Sequence, residues 1–224
     1  MKYIILIPIY NERDSLKLLI ENINNEIKDL NHEISIVVIN DASTEQIIDT
    51  YPNIENFNSI EIVNMKENRG HTRCIASGLK YIFEKKEFDF VIPMDGDGED
   101  KPEELKNFIN LSEQSSERSI IGERVKRSEG LFFQLCYEFH KFLTFAFTGQ
   151  SIKFGNFTCL SKSTVKKMLE EKATWNSFSG SLKKLEKDLI TSPSTRGKRY
   201  FGPSKMSFFN LLKHSLSIIS VFRK

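Results

Sequence analysis

The sequence predicts an α/β protein built on a mostly parallel sheet that is flanked by helices. Two continuous apolar runs, 3–9 and 34–39, have the composition of strands buried on both faces of such a sheet. A third apolar run, 88–94, ends in acidic residues separated by glycines. Amphipathic stretches lie between these runs, and strand–helix alternation with short loops is typical of a parallel sheet.

The first half of the chain alternates between strands and helices. The predicted elements are a strand at 3–9, a helix over 11–30, strands at 34–39 and 60–65, a helix over 72–85, a strand at 88–94 and a helix opened by 101–105. Asp14 is the predicted N-cap of the first helix. Because crossovers between parallel strands are right-handed, we expect the loops after the first, second and fourth strands at one edge.

The regular alternation of strands and helices ends after residue 122. A strand is predicted at 151–160 and a helix over 163–172. Residues 131–148 are rich in phenylalanine, and 207–224 form a second apolar stretch with basic residues around it. Neither stretch is long enough to span a membrane. We expect both to be helices that lie in the headgroup region of a membrane or pack against the sheet or a partner subunit.

Composition indicates a soluble globular protein. Apolar residues make up 39% of the 224 residues and charged residues 28%, which excludes a disordered chain. A net charge of +2 gives no reason to expect a nucleic-acid partner. Three cysteines without a CxxC pair are expected to be reduced thiols. With no signal-peptide pattern at the start, these features predict a cytoplasmic protein.

The loop after strand 88–94 carries the strongest indication of chemistry. Asp95 and Asp97 follow a buried strand at the edge where open α/β sheets bind ligands. Two such carboxylates can converge on one hard cation. An EF-hand is excluded because its sixth and twelfth positions would be Asp100 and Lys106. Two alternatives to a cation site remain. One is a haloacid-dehalogenase-type phosphatase with Asp95 as its nucleophile, and the other is a solvated acidic turn.

Seven short segments that carry polar residues or glycine are spread along nearly the whole chain. They are Ile7–Glu12, Val38–Thr44, Glu67–Gly70, Met94–Asp97, Gly122–Arg124, Gly155–Phe157 and Arg199–Lys205. Together they resemble glycosyltransferase family 2, and within it the dolichol-phosphate mannosyltransferase and polyprenyl-phosphate glycosyltransferase branch. The resemblance implies a GT-A fold with C-terminal amphipathic helices. It further implies a single domain over 1–224, with the nucleotide-sugar part at about 1–125 and the acceptor or interface part at about 126–224.

The resemblance also implies roles for individual residues. Asp95 and Asp97 match metal ligands, for Mg²⁺ or Mn²⁺, that bridge the diphosphate of a nucleoside diphosphate-sugar. Arg124 and Arg199 match positions that hold phosphate oxygens. The implied catalytic residues are Asp97, Arg124, Asn156 and Arg199. The implied nucleotide-sugar-binding residues are Pro8, Tyr10, Glu12, Asn40, Asp41, Arg69, Asp95, Arg124, Arg199 and Lys205.

Two residues depart from the family pattern. Asn40 stands where the family usually has an acid. This change affects which nucleotide base the donor is expected to carry. Asn156 stands where related enzymes commonly have the aspartate proposed as the catalytic base. An amide cannot accept a proton from an acceptor hydroxyl. The chain is therefore inactive, or uses another acid, or takes an acceptor that needs no base, such as a phosphate monoester whose second pKa is roughly 6.

The function predicted from the sequence is a metal-dependent inverting glycosyltransferase. It would move a sugar from a nucleoside diphosphate-sugar to a lipid-phosphate or glycan acceptor in cell-envelope polysaccharide synthesis. Peripheral contact with the cytoplasmic face of the membrane, or a homo-oligomer, would accompany this activity. The alternatives are a catalytically silent nucleotide-sugar-binding or scaffold protein of the same fold, and the phosphatase with Asp95 as nucleophile.

Overall fold

The computed structural model describes residues 1–46, 54–115, 118–126, 152–203 and 216–222. The strands are β1 (Lys2–Ile9), β2 (Glu33–Asn40), β3 (Ser59–Asn64), β4 (Phe90–Pro93), β5 (Ile120–Lys126), β6 (Phe154–Ser161) and β7 (Ile190–Thr195). The helices are α1 (Arg13–Ile27), α2 (His71–Lys85), α3 (Leu105–Glu113), α4 (Lys162–Glu170) and α5 (Phe178–Leu185), with 3₁₀ turns at Pro102–Glu104 and Lys172–Trp175. Residues 216–222 are helical as well.

Within these residues the strands form one sheet in the order β3-β2-β1-β4-β6-β5-β7. β1 pairs in parallel with β2 and β4, β2 with β3, and β5 with β7. β6 runs antiparallel to both of its neighbours, β4 and β5. The mostly parallel sheet flanked by helices is confirmed, and the carboxyl ends of β1, β2 and β4 share one edge.

Apolar side chains cover both faces of the sheet, as the uninterrupted apolar runs predict. One cluster joins Tyr3, Ile5, Ile7 and Ile9 of β1 to the buried stripe of α1 and to α3, and the other joins Ile4 and Leu6 to α2, α4 and α5. Each fully buried leucine or isoleucine contributes about 1.5–3 kcal/mol. The resulting core holds the strand ends rigidly, so that the loops at the carboxyl edge are fixed in position.

The predicted start and end of the first helix are wrong by a few residues. Asn11 has a φ of 51°, which is outside the helical region. Its side-chain oxygen accepts hydrogen bonds from the backbone N–H groups of Thr44 and Glu45, and this contact holds Asn11 out of the helix. The N-cap is Glu12, and Asp14 lies within the first turn instead. The helix ends at Ile27, three residues earlier than predicted.

Neither β7 nor α5 was predicted from the sequence. At β5 the sequence indicated only that the strand–helix alternation ends, and no strand was predicted there. Residues 131–148 lie outside the described ranges, and of 207–224 only the short helix at 216–222 is described. No helix in the described part of the chain is long and apolar enough to cross a membrane. The single domain over 1–224 stays a prediction.

Candidate active site

The acidic loop, residues 95–100, follows β4 at the carboxyl edge and is folded around its own carboxylates. The backbone N–H of Asp95 donates to Asp100 Oδ2 at 2.9 Å. The backbone N–H of Glu99 donates to Asp97 Oδ1, also at 2.9 Å. These two hydrogen bonds fix the loop in a tight turn and leave the outer oxygens of Asp95 and Asp97 for other partners.

The segment 196–200, directly after β7, lies along the acidic loop. The backbone N–H of Gly197 donates to the carbonyl of Glu99 at 2.7 Å, and that of Tyr200 donates to the carbonyl of Asp97 at 2.9 Å. The guanidinium of Arg196 pairs with the Glu99 carboxylate. Segment 196–200 therefore adds backbone contacts and positive charge to the loop.

Three predicted site residues meet through a single guanidinium. Arg199 pairs with Asp97 Oδ2 through one nitrogen and with Glu12 Oε1 through another. Its side chain is only 11% exposed, so both ion pairs are largely shielded from water. Its Nε is buried without a hydrogen-bond partner among the described residues. The structure thus brings the side chains of Glu12, Asp97 and Arg199 together, and their role in binding a nucleotide-sugar stays a prediction.

Asp95 holds the most unusual oxygen of the site. Its Oδ1 is buried and makes no hydrogen bond within the described ranges, although His71 Nε2 lies 3.3 Å away. Its Oδ2 lies 4.0 Å from an Arg196 nitrogen. Burial alone would raise the pKa of Asp95, but His71, Arg196 and Arg124 hold it below its ordinary value. The ionised Asp95 carboxylate therefore faces the site with the His71 imidazole beside its Oδ1.

The other two aspartates of the loop have pKa values shifted in the opposite direction. Burial, the charge of Asp95 and that of Glu99 raise the pKa of Asp97. Burial and the charge of Asp95 also raise the pKa of Asp100. Like charges held close together without water repel one another, and a divalent cation would relieve this repulsion.

The loop fits a divalent cation whose coordination is completed by a substrate. The described residues contain no cluster of three or more His, Cys, Asp or Glu that would hold a metal by themselves. Mg²⁺ is usually bound by one or two carboxylates together with substrate phosphates and waters, so two aspartates are enough. Asp95 and Asp97 are the residues that would hold it. When bound, such an ion would neutralise charge on a diphosphate leaving group.

The opposite side of the site is formed by β5, β6 and the start of α2. The guanidinium of Arg124 lies over Gly155, where an added Cβ would come within 2.6 Å of its Nη2. The Asn156 Nδ2 lies 2.7 Å from Nε2 of His71, the first residue of α2. Burial alone would lower the pKa of His71, but Asp95 raises it. Asn156 therefore connects to the acidic loop through His71.

Asn40, Asp41 and Arg69 form a separate group, drawn from the end of β2 and from the loops that follow β2 and β3. The carboxylate of Asp41, 3% exposed, accepts the backbone N–H groups of Arg69 and Gly70 at 2.8 and 2.9 Å. Asn40 donates to the Asn64 side chain at 2.8 Å and accepts the Ser43 N–H at 2.9 Å. The Arg69 guanidinium pairs with Glu67 at the surface. Their predicted contact with the nucleotide stays a prediction.

The remaining predicted residues have different positions. Pro8 is buried in β1, and Tyr10 is 41% exposed just beyond the end of that strand. Lys205 lies outside the described residues. Sequence reasoning missed His71 and Arg196. The signal for His71 was its place directly after the Glu67–Gly70 segment at the start of a helix. Arg196 lies in a basic stretch that carries no recognisable motif.

Comparison with known proteins decides the family. The sequence profile described as Glycosyl transferase family 2 matches residues 4–169, which run from within β1 into α4 and contain the acidic loop. The chain belongs to glycosyltransferase family 2. Two curated relatives are undecaprenyl-phosphate 4-deoxy-4-formamido-L-arabinose transferases. The one from Photorhabdus laumondii is 28% identical, and the one from Proteus mirabilis is 24% identical.

These relatives confirm the resemblance to the polyprenyl-phosphate branch of the family. Both matches cover 94% of this chain, which spans only 65% and 64% of the relatives' own length. A solved structure of similar fold is glucosyl-3-phosphoglycerate synthase from Mycobacterium tuberculosis, in complex with Mn²⁺, UDP-glucose and phosphoglyceric acid. Its TM-score is 0.68 at 14% identity, covering 98% of this chain and 78% of that one. The fold of this family member is thus the predicted GT-A fold.

Proposed function

We propose that this protein is a metal-dependent inverting glycosyltransferase that moves a sugar from a nucleoside diphosphate-sugar to a lipid phosphate. The observation that carries the proposal is the pair of largely buried carboxylates of Asp95 and Asp97, with the Arg196 guanidinium near Asp95 and the Arg199 guanidinium paired with Asp97. This arrangement offers a place for a divalent cation and positive side chains for a diphosphate at one edge of the sheet. Glycosyltransferase family 2 membership is consistent with it.

The donor side of the proposal rests on Arg199. Its guanidinium now pairs with the carboxylates of Glu12 and Asp97, and diphosphate oxygens offer the same planar, two-point pairing. We expect Arg199 to exchange its bond with Asp97 for one with the diphosphate when a cation occupies the Asp97 carboxylate. The solved relative whose complex contains Mn²⁺ and UDP-glucose supports a donor and an ion, Mg²⁺ or Mn²⁺, of this kind.

The acceptor side rests on Asn156 and on the named relatives. Those relatives are undecaprenyl-phosphate sugar transferases. A phosphate monoester is largely ionised at neutral pH, so its oxygen can attack the anomeric carbon without a general base. The bond from that carbon to the donor's diphosphate oxygen breaks, the nucleoside diphosphate leaves, and the configuration inverts. An amide at position 156 is compatible with this reaction, whereas a glycan hydroxyl would need a base.

The setting proposed for this reaction is the cytoplasmic face of a membrane, in cell-envelope polysaccharide synthesis. A lipid-linked acceptor requires the protein to reach the headgroup region. Residues 131–148 and 207–224 would make that contact or a subunit interface. Co-sedimentation with anionic vesicles at low salt is the expected result, and a discrete oligomer that stays in the supernatant would favour the interface instead.

A transfer assay tests the proposal directly. The protein is incubated with Mn²⁺, a panel of radiolabelled nucleotide-sugars, and either undecaprenyl phosphate or unphosphorylated undecaprenol. We expect label to enter the lipid fraction from one donor, only with the phosphorylated lipid and only with the cation. Transfer to undecaprenol at a comparable rate would contradict the lipid-phosphate acceptor.

Asn156 favours one other candidate, a catalytically silent nucleotide-sugar-binding protein. Its side chain contacts His71 and supplies no carboxylate where related enzymes have one. Such a protein would bind the donor with the cation but transfer no sugar to any acceptor. Under that alternative Asn156→Asp would be expected to create transfer to a hydroxyl acceptor. Under the leading proposal the unsubstituted protein already transfers to the lipid phosphate. Membership of family 2 argues against the phosphatase alternative.

A further inference from the structure

Tyr200 packs directly on the acidic loop. A Cβ added to Gly98 would lie 2.5 Å from two ring carbons of Tyr200, so the ring occupies the space of a side chain at that position. Gly98 also has a φ of 85°, a conformation that favours glycine. The loop and the ring are therefore matched to each other, and segment 196–200 can lie flat on the loop only because residue 98 has no side chain.

A second contact holds the same side chain through its hydroxyl. The Asn22 side-chain nitrogen donates to the Tyr200 hydroxyl at 2.9 Å. Asn22 lies on α1, whose apolar face is anchored in the core, and Tyr200 packs against the same core cluster. The hydroxyl thus connects segment 196–200 to α1, through a residue that is 178 positions away from Tyr200 in sequence.

The ring anchors the segment that carries the two guanidinium groups of the proposed diphosphate site. Arg199 precedes Tyr200, and Arg196 lies four residues before it. The Tyr200 N–H bond to the Asp97 carbonyl aligns Arg199 with the acidic loop. In this geometry Arg199 meets the Asp97 and Glu12 carboxylates, and Arg196 meets Glu99. Without the ring, both arginines would be carried on a segment tied only by backbone contacts and exchangeable ion pairs.

We infer that Asn22 and Tyr200 are positioning residues that hold Arg196 and Arg199 in place for a metal-bound diphosphate. Neither needs to touch the substrate. Their effect comes from reducing the conformational freedom that the two arginines would otherwise lose on binding. The inference rests on the proposed function, because it requires a diphosphate to bind at the acidic loop.

The test uses Mg²⁺ with inorganic pyrophosphate, which carries the diphosphate without a base or sugar. Binding is measured by calorimetry for the unsubstituted chain, Asn22→Ala, Tyr200→Phe and the double variant. One hydrogen bond is worth about 0.5–1.5 kcal/mol, so each single change is expected to weaken binding about threefold to tenfold. Because both changes remove the same bond, the double variant should be no weaker than either single variant.

A matched control separates positioning from general destabilisation. Tyr81→Phe also removes a hydroxyl bond, to Glu61 on β3, but Tyr81 lies on α2 away from segment 196–200. We expect it to leave pyrophosphate affinity unchanged. Amide hydrogen exchange adds a second measurement: in Asn22→Ala the N–H groups of Gly197 and Tyr200 should exchange faster, while those of β1 should not.

The outcomes distinguish this inference from the proposed function. If the unsubstituted chain does not bind Mg²⁺-pyrophosphate, the proposed diphosphate site is wrong and the inference fails with it. If it binds, but Asn22→Ala and Tyr200→Phe bind within twofold of it, the site stands and the positioning role is wrong. Additive losses in the double variant, or an equal loss in Tyr81→Phe, would also overturn the positioning role.

Discussion

Two loops at the carboxyl edge each carry a buried aspartate but use their polar groups differently. Asn40 ends β2 and Asp41 begins the loop after it, while the acidic loop follows β4. The Asp41 carboxylate is bonded to two backbone N–H groups, and Asn40 to a side chain and a backbone N–H. The outer oxygens of Asp95 and Asp97 face the side chains of His71, Arg196 and Arg199.

The kind of partner determines what each loop can do. A backbone N–H cannot leave its acceptor without rearranging the chain, so the Asp41 contacts stabilise the loop itself. An arginine side chain can turn to a phosphate while its backbone stays in place, so the contacts of the acidic loop can be exchanged for a ligand. Substitutions in the two loops should therefore separate binding from stability.

The largest expected effect is on metal binding at the acidic loop. Asp95→Asn removes the charge of the carboxylate but keeps the backbone N–H that donates to Asp100. Changes even outside the direct ligands of a metal typically cost 10–100-fold, so we expect loss of a ligand to weaken Mn²⁺ binding by more than about 100-fold. Electron paramagnetic resonance of free Mn²⁺, with a nucleoside diphosphate present, measures this loss.

Asp188→Asn is the matched control for that substitution. It makes the same chemical change at a surface carboxylate, whose partner is Arg118. It should leave Mn²⁺ binding unchanged. Equal Mn²⁺ binding by Asp95→Asn and the unsubstituted protein would contradict the assignment of the acidic loop.

In the neighbouring loop the main effect should be on stability. Asp41→Ala leaves the N–H groups of Arg69 and Gly70 without their acceptor in a part-buried position. Hydrogen bonds to charged groups contribute about 1.5–3 kcal/mol each, and relaxation or water recovers part of this. We therefore expect a loss of about 2–3 kcal/mol in the free energy of unfolding. Urea denaturation measures it, and Asp14→Ala, an exposed acid on α1, should change stability by less than about 0.5 kcal/mol.

If Asp41→Ala unfolded at the same urea concentration as the unsubstituted protein but lost nucleoside binding, the comparison between the loops would be wrong. Asp41 would then be a direct ligand, as the resemblance to the family implies.

The contrast between the loops could not have been predicted from the sequence, although their positions could. Continuous apolar runs identified β1 and β2, and an apolar run followed by aspartates located the acidic loop. Sequence alone gives no side-chain partners, so it assigned a ligand-binding role to both Asp41 and Asp95. Their difference depends on residues distant in the chain, such as Arg69 for one and Arg196 for the other.

The missed elements have physical reasons as well. β7 contains serine, threonine and a proline, and its strand form depends on parallel pairing with β5 at the edge of the sheet. α5 contains glycine and two serines, which are weak helix formers, but Ser177 caps it and Phe178 and Leu182 are buried in the core. In both cases tertiary contacts outweigh local propensity.

A smaller effect on binding is expected for Arg199→Ala. If Arg199 neutralises the diphosphate, the variant should bind a nucleotide-sugar more weakly by about 2 kcal/mol, the size of a charge-assisted hydrogen bond. The nucleoside alone should bind as before, because it lacks the diphosphate. Calorimetry with both ligands checks this, and Arg118→Ala, an exposed arginine, is the control. Equal losses for the two ligands would mean that Arg199 acts only on the structure.

The smallest expected effect concerns strain in the loop after β2. Ala42 has a φ of 56°, a left-handed conformation that costs an L-residue about 1–2 kcal/mol. Glycine avoids this cost but loses about 0.5–1 kcal/mol through greater freedom in the unfolded chain. We expect Ala42→Gly to raise the free energy of unfolding by about 0.5 kcal/mol, measured by urea denaturation. A clear loss of stability would show that the Ala42 methyl contributes more than its backbone strain costs.

The most direct test of the central assignment is a thermal-shift screen of nucleotide-sugars with and without Mn²⁺. A ligand at 100 times its Kd stabilises the folded state by about 2.7 kcal/mol, which gives a clear rise in Tm. We predict that one nucleotide-sugar raises the Tm only when Mn²⁺ is present, and that Asp95→Asn abolishes this rise. A rise that does not need the cation, or that persists in Asp95→Asn, would contradict a metal-bound diphosphate at the acidic loop.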